Sequence, residues 1–78
     1  MDNRIGIDPK ICHGKPHVVG TRIMVNQVLE LLAAGKTFEQ ICSDDYFPDL
    51  MKEDITACIE FANKLVLNED VDYLVGSG

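Results

Sequence analysis

Cys12, His13 and His17 fall within the short run CHGKPH, and together they offer one thiol and two imidazoles for metal binding or nucleophilic attack. Structural zinc takes four ligands, usually in two closely spaced pairs. No second cluster follows here. Cys42 and Cys58 fall on helix faces expected to be buried, where a thiol acts as a small apolar filler. Neither a metal nor a cofactor is expected. Nucleophilic catalysis fares no better, because adjacent side chains on an extended strand point to opposite faces, which separates Cys12 from His13. Only Gly14 offers a cradle for an oxyanion, and a chain of 78 residues has little bulk with which to exclude water. The run GKPHVVGT also fails as a phosphate-binding loop, since its lysine is not followed by Ser or Thr and a helix. The expectation is a protein without enzymatic activity.

Arg22 ranks first among the remaining polar residues. Its expected role is to clamp a carboxylate, such as Asp8, and so pin the leading segment to the helices, with a ligand contact as the alternative. Lys15 is the better phosphate candidate. Thr21 is expected to hydrogen-bond within its turn.

These residues need a frame. Residues 4–24 consist of short apolar pieces broken by turn residues, with Asp8-Pro9-Lys10 as a turn and Val18, Val19 and Ile23 favouring extended structure. The pattern predicts a short β-hairpin or ribbon, in which Gly14 and Gly20 supply backbone angles that a Cβ disfavours. From Val25 the period changes. Val25, Val28, Leu29 and Leu32 form one helical stripe over about 25–34, and Gly35 is a left-handed cap. Thr37 and Gln40 form a capping box for a short helix over 38–43. Pro48 interrupts the connector YFPDL.

A third helix is expected over 52–67, burying Ile55, Cys58, Ile59, Ala62 and Val66, with Ala57 and Phe61 widening the stripe. Met51 stands at its N-cap position without a side-chain acceptor, a loss of about 1 kcal/mol that Asp49 can offset by capping one turn early. Residues 68–78 read as a separate acidic and apolar tail. The fold class is therefore mainly α: one domain over 4–67, with three helices of helix-turn-helix type (winged or homeodomain-like) behind a short N-terminal β-ribbon. The ribbon is too small to stand alone and must lie on the helices or pair with a second copy.

The charge is unevenly placed. Arg4, Lys10, Lys15 and Arg22 outnumber Asp2 and Asp8 in residues 1–22, whereas the remainder sets three lysines against eleven acids, for a net charge of −6. Nucleic acid can therefore be met only by the leading arm, and a basic protein is drawn to the rest. Three cysteines are an odd count without a disulfide framework, which fits a reducing, cytoplasmic setting. No apolar run reaches membrane-spanning length. The N-terminal residues lack the apolar core of a signal peptide.

The stretch from Ile5 to Ala62 resembles the domain of unknown function 433 family. Asp8-Pro9, Gly14-Lys15-Pro16 and Gly20-Thr21-Arg22-Ile23 match its pattern, as do Gly35, Pro48, Leu50 and Ile55. The chain departs from that pattern at His17, Val19, Met24 and Met51, and Phe47 separates the usual Tyr and Pro. The resemblance implies a small, dimeric helix-turn-helix protein of antitoxin type, paired with a PIN-like ribonuclease toxin. Its partner would meet Glu69, Asp70, Val71, Asp72, Tyr73 and Leu74, with acids on basic rims and apolar residues docking between them. No arginine follows Arg22, so an arginine thrust into a toxin's acidic centre is not available from the tail.

DNA readers place basic or amide side chains on the first turns of the last helix. Here that helix begins KEDITACIE and meets phosphate with like charge. Operator DNA, if bound, falls to Arg4, Lys10, Lys15 and Arg22. The other readings are a DNA-binding regulator without a toxin and a module that only associates with itself.

Overall fold

The computed structural model describes the backbone of residues 4–77 and the side chains of residues 4–67. Two short strands, β1 (Ile5–Gly6) and β2 (His17–Val18), pair antiparallel with Ile5 opposite Val18 and Gly6 opposite His17. His17 also bridges to Met24 on its other side. Between the strands, Asp8 accepts a hydrogen bond from the Lys10 amide at 2.8 Å and closes the expected turn. The chain then makes a single tight turn through Cys12 (φ 53°), His13 (φ 57°) and Gly14 (φ 79°). Only the glycine takes this left-handed geometry without a steric penalty.

Gly20 (φ 85°) turns β2 back on itself, and the Thr21 hydroxyl donates to the Val18 carbonyl at 2.8 Å while accepting from the Ile23 amide at 3.0 Å. The expected ribbon is present, shorter than the pattern suggests and held mainly by turns.

Helix α1 (Val25–Ala33) ends as its sequence predicts. Gly35 takes φ 89°, its amide bonds the Leu32 carbonyl, and the Lys36 amide reaches the Leu31 carbonyl, which together satisfy the last turn. Helix α2 (Phe38–Ile41) carries both halves of its capping box: the Gln40 amide donates to Thr37 at 3.1 Å, and the Thr37 amide donates to Gln40 at 2.8 Å. It stops two residues before the expected end, with Cys42 as its C-cap.

Helix α3 (Lys52–Ser77) runs past the expected boundary near residue 67, because no proline or glycine interrupts residues 52–75. Residues 68–77 thus continue α3 at the backbone level, where a separate tail was expected.

The three helices enclose one core, in which Val18, Val25, Val28, Ile41, Leu50, Ile55 and Cys58 are buried, flanked by Ile5, Ile23, Leu29, Phe38, Phe47 and Phe61. The buried face of α3 differs from the expected stripe. Ile55, Ala57 and Cys58 are buried as expected and Asp54 is buried beside them, while Ile59 is 40% and Val66 52% exposed. The helix is rotated so that its Asp54 flank faces β1, which turns Ile59 outward.

Candidate functional site: the closing helix and the leading arm

The leading arm is fastened to α3 by one carboxylate. Arg4 donates to Asp54 at 2.9 Å, and the other Asp54 oxygen accepts from the Met51 amide at 2.9 Å. Asp54 therefore caps the start of α3 from its third position and holds β1 against it. The Asp54 side chain is 10% exposed and that of Arg4 40%, so this pair is screened less than a surface ion pair.

The pin expected between Arg22 and Asp8 is absent. Asp8 is occupied by the Lys10 amide, and the exposed Arg22 contributes its backbone carbonyl, which accepts from the Cys12 thiol at 3.3 Å. Among the described residues Asp54, not Asp49, supplies the cap of α3. Local sequence does not reveal the Arg4–Asp54 pair, because fifty positions separate its members.

Three of the four cations proposed for nucleic acid, Arg4, Lys15 and Arg22, line three different depressions. Lys10, Lys15 and Arg22 are exposed. Arg4 borders a shallow depression of about 560 Å³ on the outer face of α3, together with Lys52, Glu53, Thr56, Glu60 and Lys64. Lys15 stands on the rim of a different groove. Arg22 lines a third depression with Ile11, Gly20 and Thr21. The outer face of α3 thus mixes acids with bases where a groove-reading helix would be uniformly basic or amide-rich.

The groove beside Lys15 lies between α1 and the middle of α3. Its floor is apolar, made by Pro16, Val25, Leu29, Phe61, Ala62 and Leu65, and it encloses about 350 Å³. Beyond it α3 leaves the core. Every residue from Asn63 to Leu67 is exposed, including Leu65, Val66 and Leu67 at 39, 52 and 60%. The proposed contacts at Glu69, Asp70, Val71, Asp72, Tyr73 and Leu74 follow on the same helix, with side chains outside the described residues.

The residues with candidate chemistry are scattered. His13 is exposed, Cys12 bonds a backbone carbonyl, and Cys58 is fully buried. Burial, reinforced by the nearby Asp54 carboxylate, pushes the Cys42 thiol above its ordinary pKa. His17 is 4% exposed, and its buried Nδ1 has no hydrogen-bond partner among the described residues. Its ring sits close to Gly6, where a Cβ would come within 3.1 Å of a Val19 methyl and 3.5 Å of the His17 ring. Among the described residues no three His, Cys, Asp or Glu side chains come together as a metal site. No helix among them is long and apolar enough to cross a membrane.

Residues 5–62, about three quarters of the chain, match the family described as "Protein of unknown function (DUF433)". The chain belongs to the DUF433 family. A crystal structure of a DUF433 member protein from Anabaena variabilis is similar to it with a TM-score of 0.74 and 24% sequence identity, over 96% of this chain and 70% of that one. That likeness concerns the fold. None of the curated proteins matches the chain. The family match includes β1, the Gly-Lys-Pro and Gly-Thr-Arg turns and Asp54, begins one residue after Arg4, and ends at Ala62. In this DUF433 protein the exposed Leu65, Val66 and Leu67 and the acidic continuation of α3 lie beyond the matched part.

Proposed function

We propose that this DUF433 protein is a non-catalytic, cytoplasmic, antitoxin-like chain that binds and neutralises a PIN-like ribonuclease, and that it works as a homodimer. One observation carries this reading. The far half of α3 leaves the core with three large apolar side chains exposed and continues into a segment holding Glu69, Asp70 and Asp72 and no cation. A ribonuclease must attract RNA, so its surface is basic, and an amphipathic acidic helix complements such a surface.

The direct test is co-expression with a PIN-like ribonuclease, followed by an RNA-cleavage assay. The reading predicts a stoichiometric complex with suppressed cleavage, both lost when the chain is truncated after Leu67. Undiminished cleavage at equimolar protein contradicts it.

A second reading has its own support. Lys10, Lys15 and Arg22 are exposed and form no ion pair with described residues, so they are available to phosphate. Operator binding by this arm would weaken steeply with salt, and Lys15→Ala would reduce it for every DNA sequence alike. A module that only associates with itself would show neither behaviour.

A further inference from the structure

We infer that the apolar groove between α1 and α3 binds a small free monocarboxylic acid with an apolar body of about ten carbons. The groove encloses about 350 Å³, at the small end of the range of about 300–1,000 Å³ for sites that hold small molecules. An apolar cavity of about 150 Å³ takes one benzene ring, so this groove has room for roughly twice as many carbons. Leu29 of α1, Phe61 and Leu65 of α3 and Pro16 of the leading arm supply apolar surface. Polar groups enter only at Lys15 and Asn26, and among the described residues no acid lines the groove. In a chain of net charge −6 this is a local reversal of sign. The depression on the outer face of α3 differs, because Glu53 and Glu60 stand among its cations.

The fold fixes the base of Lys15. The left-handed turn through Cys12, His13 and Gly14 ends with the Lys15 amide donating to the Cys12 carbonyl at 3.0 Å. On the other side Pro16 has its φ set by its ring, and its carbonyl accepts from the amide of Val25, the first residue of α1, at 3.0 Å. Lys15 thus leaves the backbone between two anchored points, on a groove that Asn26 in the first turn of α1 also lines. Neither side chain makes a hydrogen bond or ion pair with a described residue. One ammonium and one amide match the two oxygens and single charge of a carboxylate. A phosphate monoester, with nearly two charges and three acceptor oxygens, would be left short of donors. The inference goes beyond the ribonuclease reading and does not rest on it.

Titration of the full chain with decanoate, followed by calorimetry and by amide and methyl NMR shifts, tests this without any protein partner. A dissociation constant of about 100 µM is expected, with the shifts centred on Leu29, Phe61 and Leu65. Lys15 is exposed and Leu65 is 39% exposed, so both can be changed without disturbing the core. Lys15→Gln is expected to weaken binding about tenfold, whereas Lys15→Arg should keep most of it. Leu65→Glu, which sets a like charge in the wall, should abolish it. Circular dichroism of each variant confirms that the helices are retained. No heat and no shift at about 1 mM decanoate overturns the inference and leaves the groove to a protein segment. Shifts centred elsewhere on the chain overturn it as well, as does binding of equal strength in Lys15→Gln and the wild type.

Discussion

The two halves of α3 are built on opposite plans. In the first, residues 52–62, Asp54, Ile55, Ala57 and Cys58 are buried, one carboxylate both caps the helix and grips β1, and the family match applies throughout. In the second, every side chain described, from Asn63 to Leu67, is exposed, including those of Leu65, Val66 and Leu67. The first half belongs to folding. The second has the character of a surface meant for another molecule, since contiguous exposed apolar residues mark interaction sites more often than chance decoration.

The largest effect should separate the halves outright. Ile55→Ala, at a fully buried site, is expected to lower stability by about 3 kcal/mol, read by urea unfolding. Leu67→Ala should change it by less than about 0.5 kcal/mol at concentrations where the chain is monomeric. A similar loss at both positions would erase the distinction.

Next comes the pin. Asp54→Ala removes the cap and the charge partner together and should cost about 2 kcal/mol, whereas Asp54→Asn keeps an acceptor for the Met51 amide and should cost about half as much. Equal losses would show that the ion pair with Arg4 alone matters. This pair also marks where sequence reasoning stops. The Thr37–Gln40 box, the Gly35 cap and the Gly20 turn were legible because each is closed within six residues, by backbone geometry that the residue types dictate. Arg4 and Asp54 lie fifty positions apart, and nothing local distinguishes Asp54 from Glu53 or Asp49.

The rotation of α3 was hidden for the same reason. Ile59 is as apolar as Ile55, and only the docking of β1 on the Asp54 flank turns it out. The candidate site was legible as charge, with a basic arm and an acidic remainder, but not as shape. The groove forms only when Pro16, Leu29 and Phe61 meet from three separate segments.

A smaller effect of opposite sign is expected in the arm. His13 is held at φ 57°, ψ 33°, a region that disfavours residues with a Cβ. His13→Gly should stabilise the chain by about 0.5–1 kcal/mol. A loss instead would show that the imidazole contributes more than its backbone strain costs.

The smallest effect concerns Cys42. Its thiol pKa lies above the ordinary cysteine value because of burial first and the Asp54 carboxylate second. The folded state therefore favours the protonated thiol, so this contribution is complete below the ordinary thiol pKa and lost as pH rises through the raised one. Alkylation by iodoacetamide should begin at higher pH for Cys42 in the folded chain than in urea. Identical pH profiles would remove burial as the cause.

Amide hydrogen exchange across Asn63–Leu67, with and without an equimolar amount of a PIN-like ribonuclease, tests the central claim most directly. Slowing of about tenfold or more in that stretch, with little change at Lys10, Lys15 and Arg22, is the predicted result. A complex that leaves Asn63–Leu67 exchanging freely, or protection that arises only on the cationic arm when DNA is added, would contradict it.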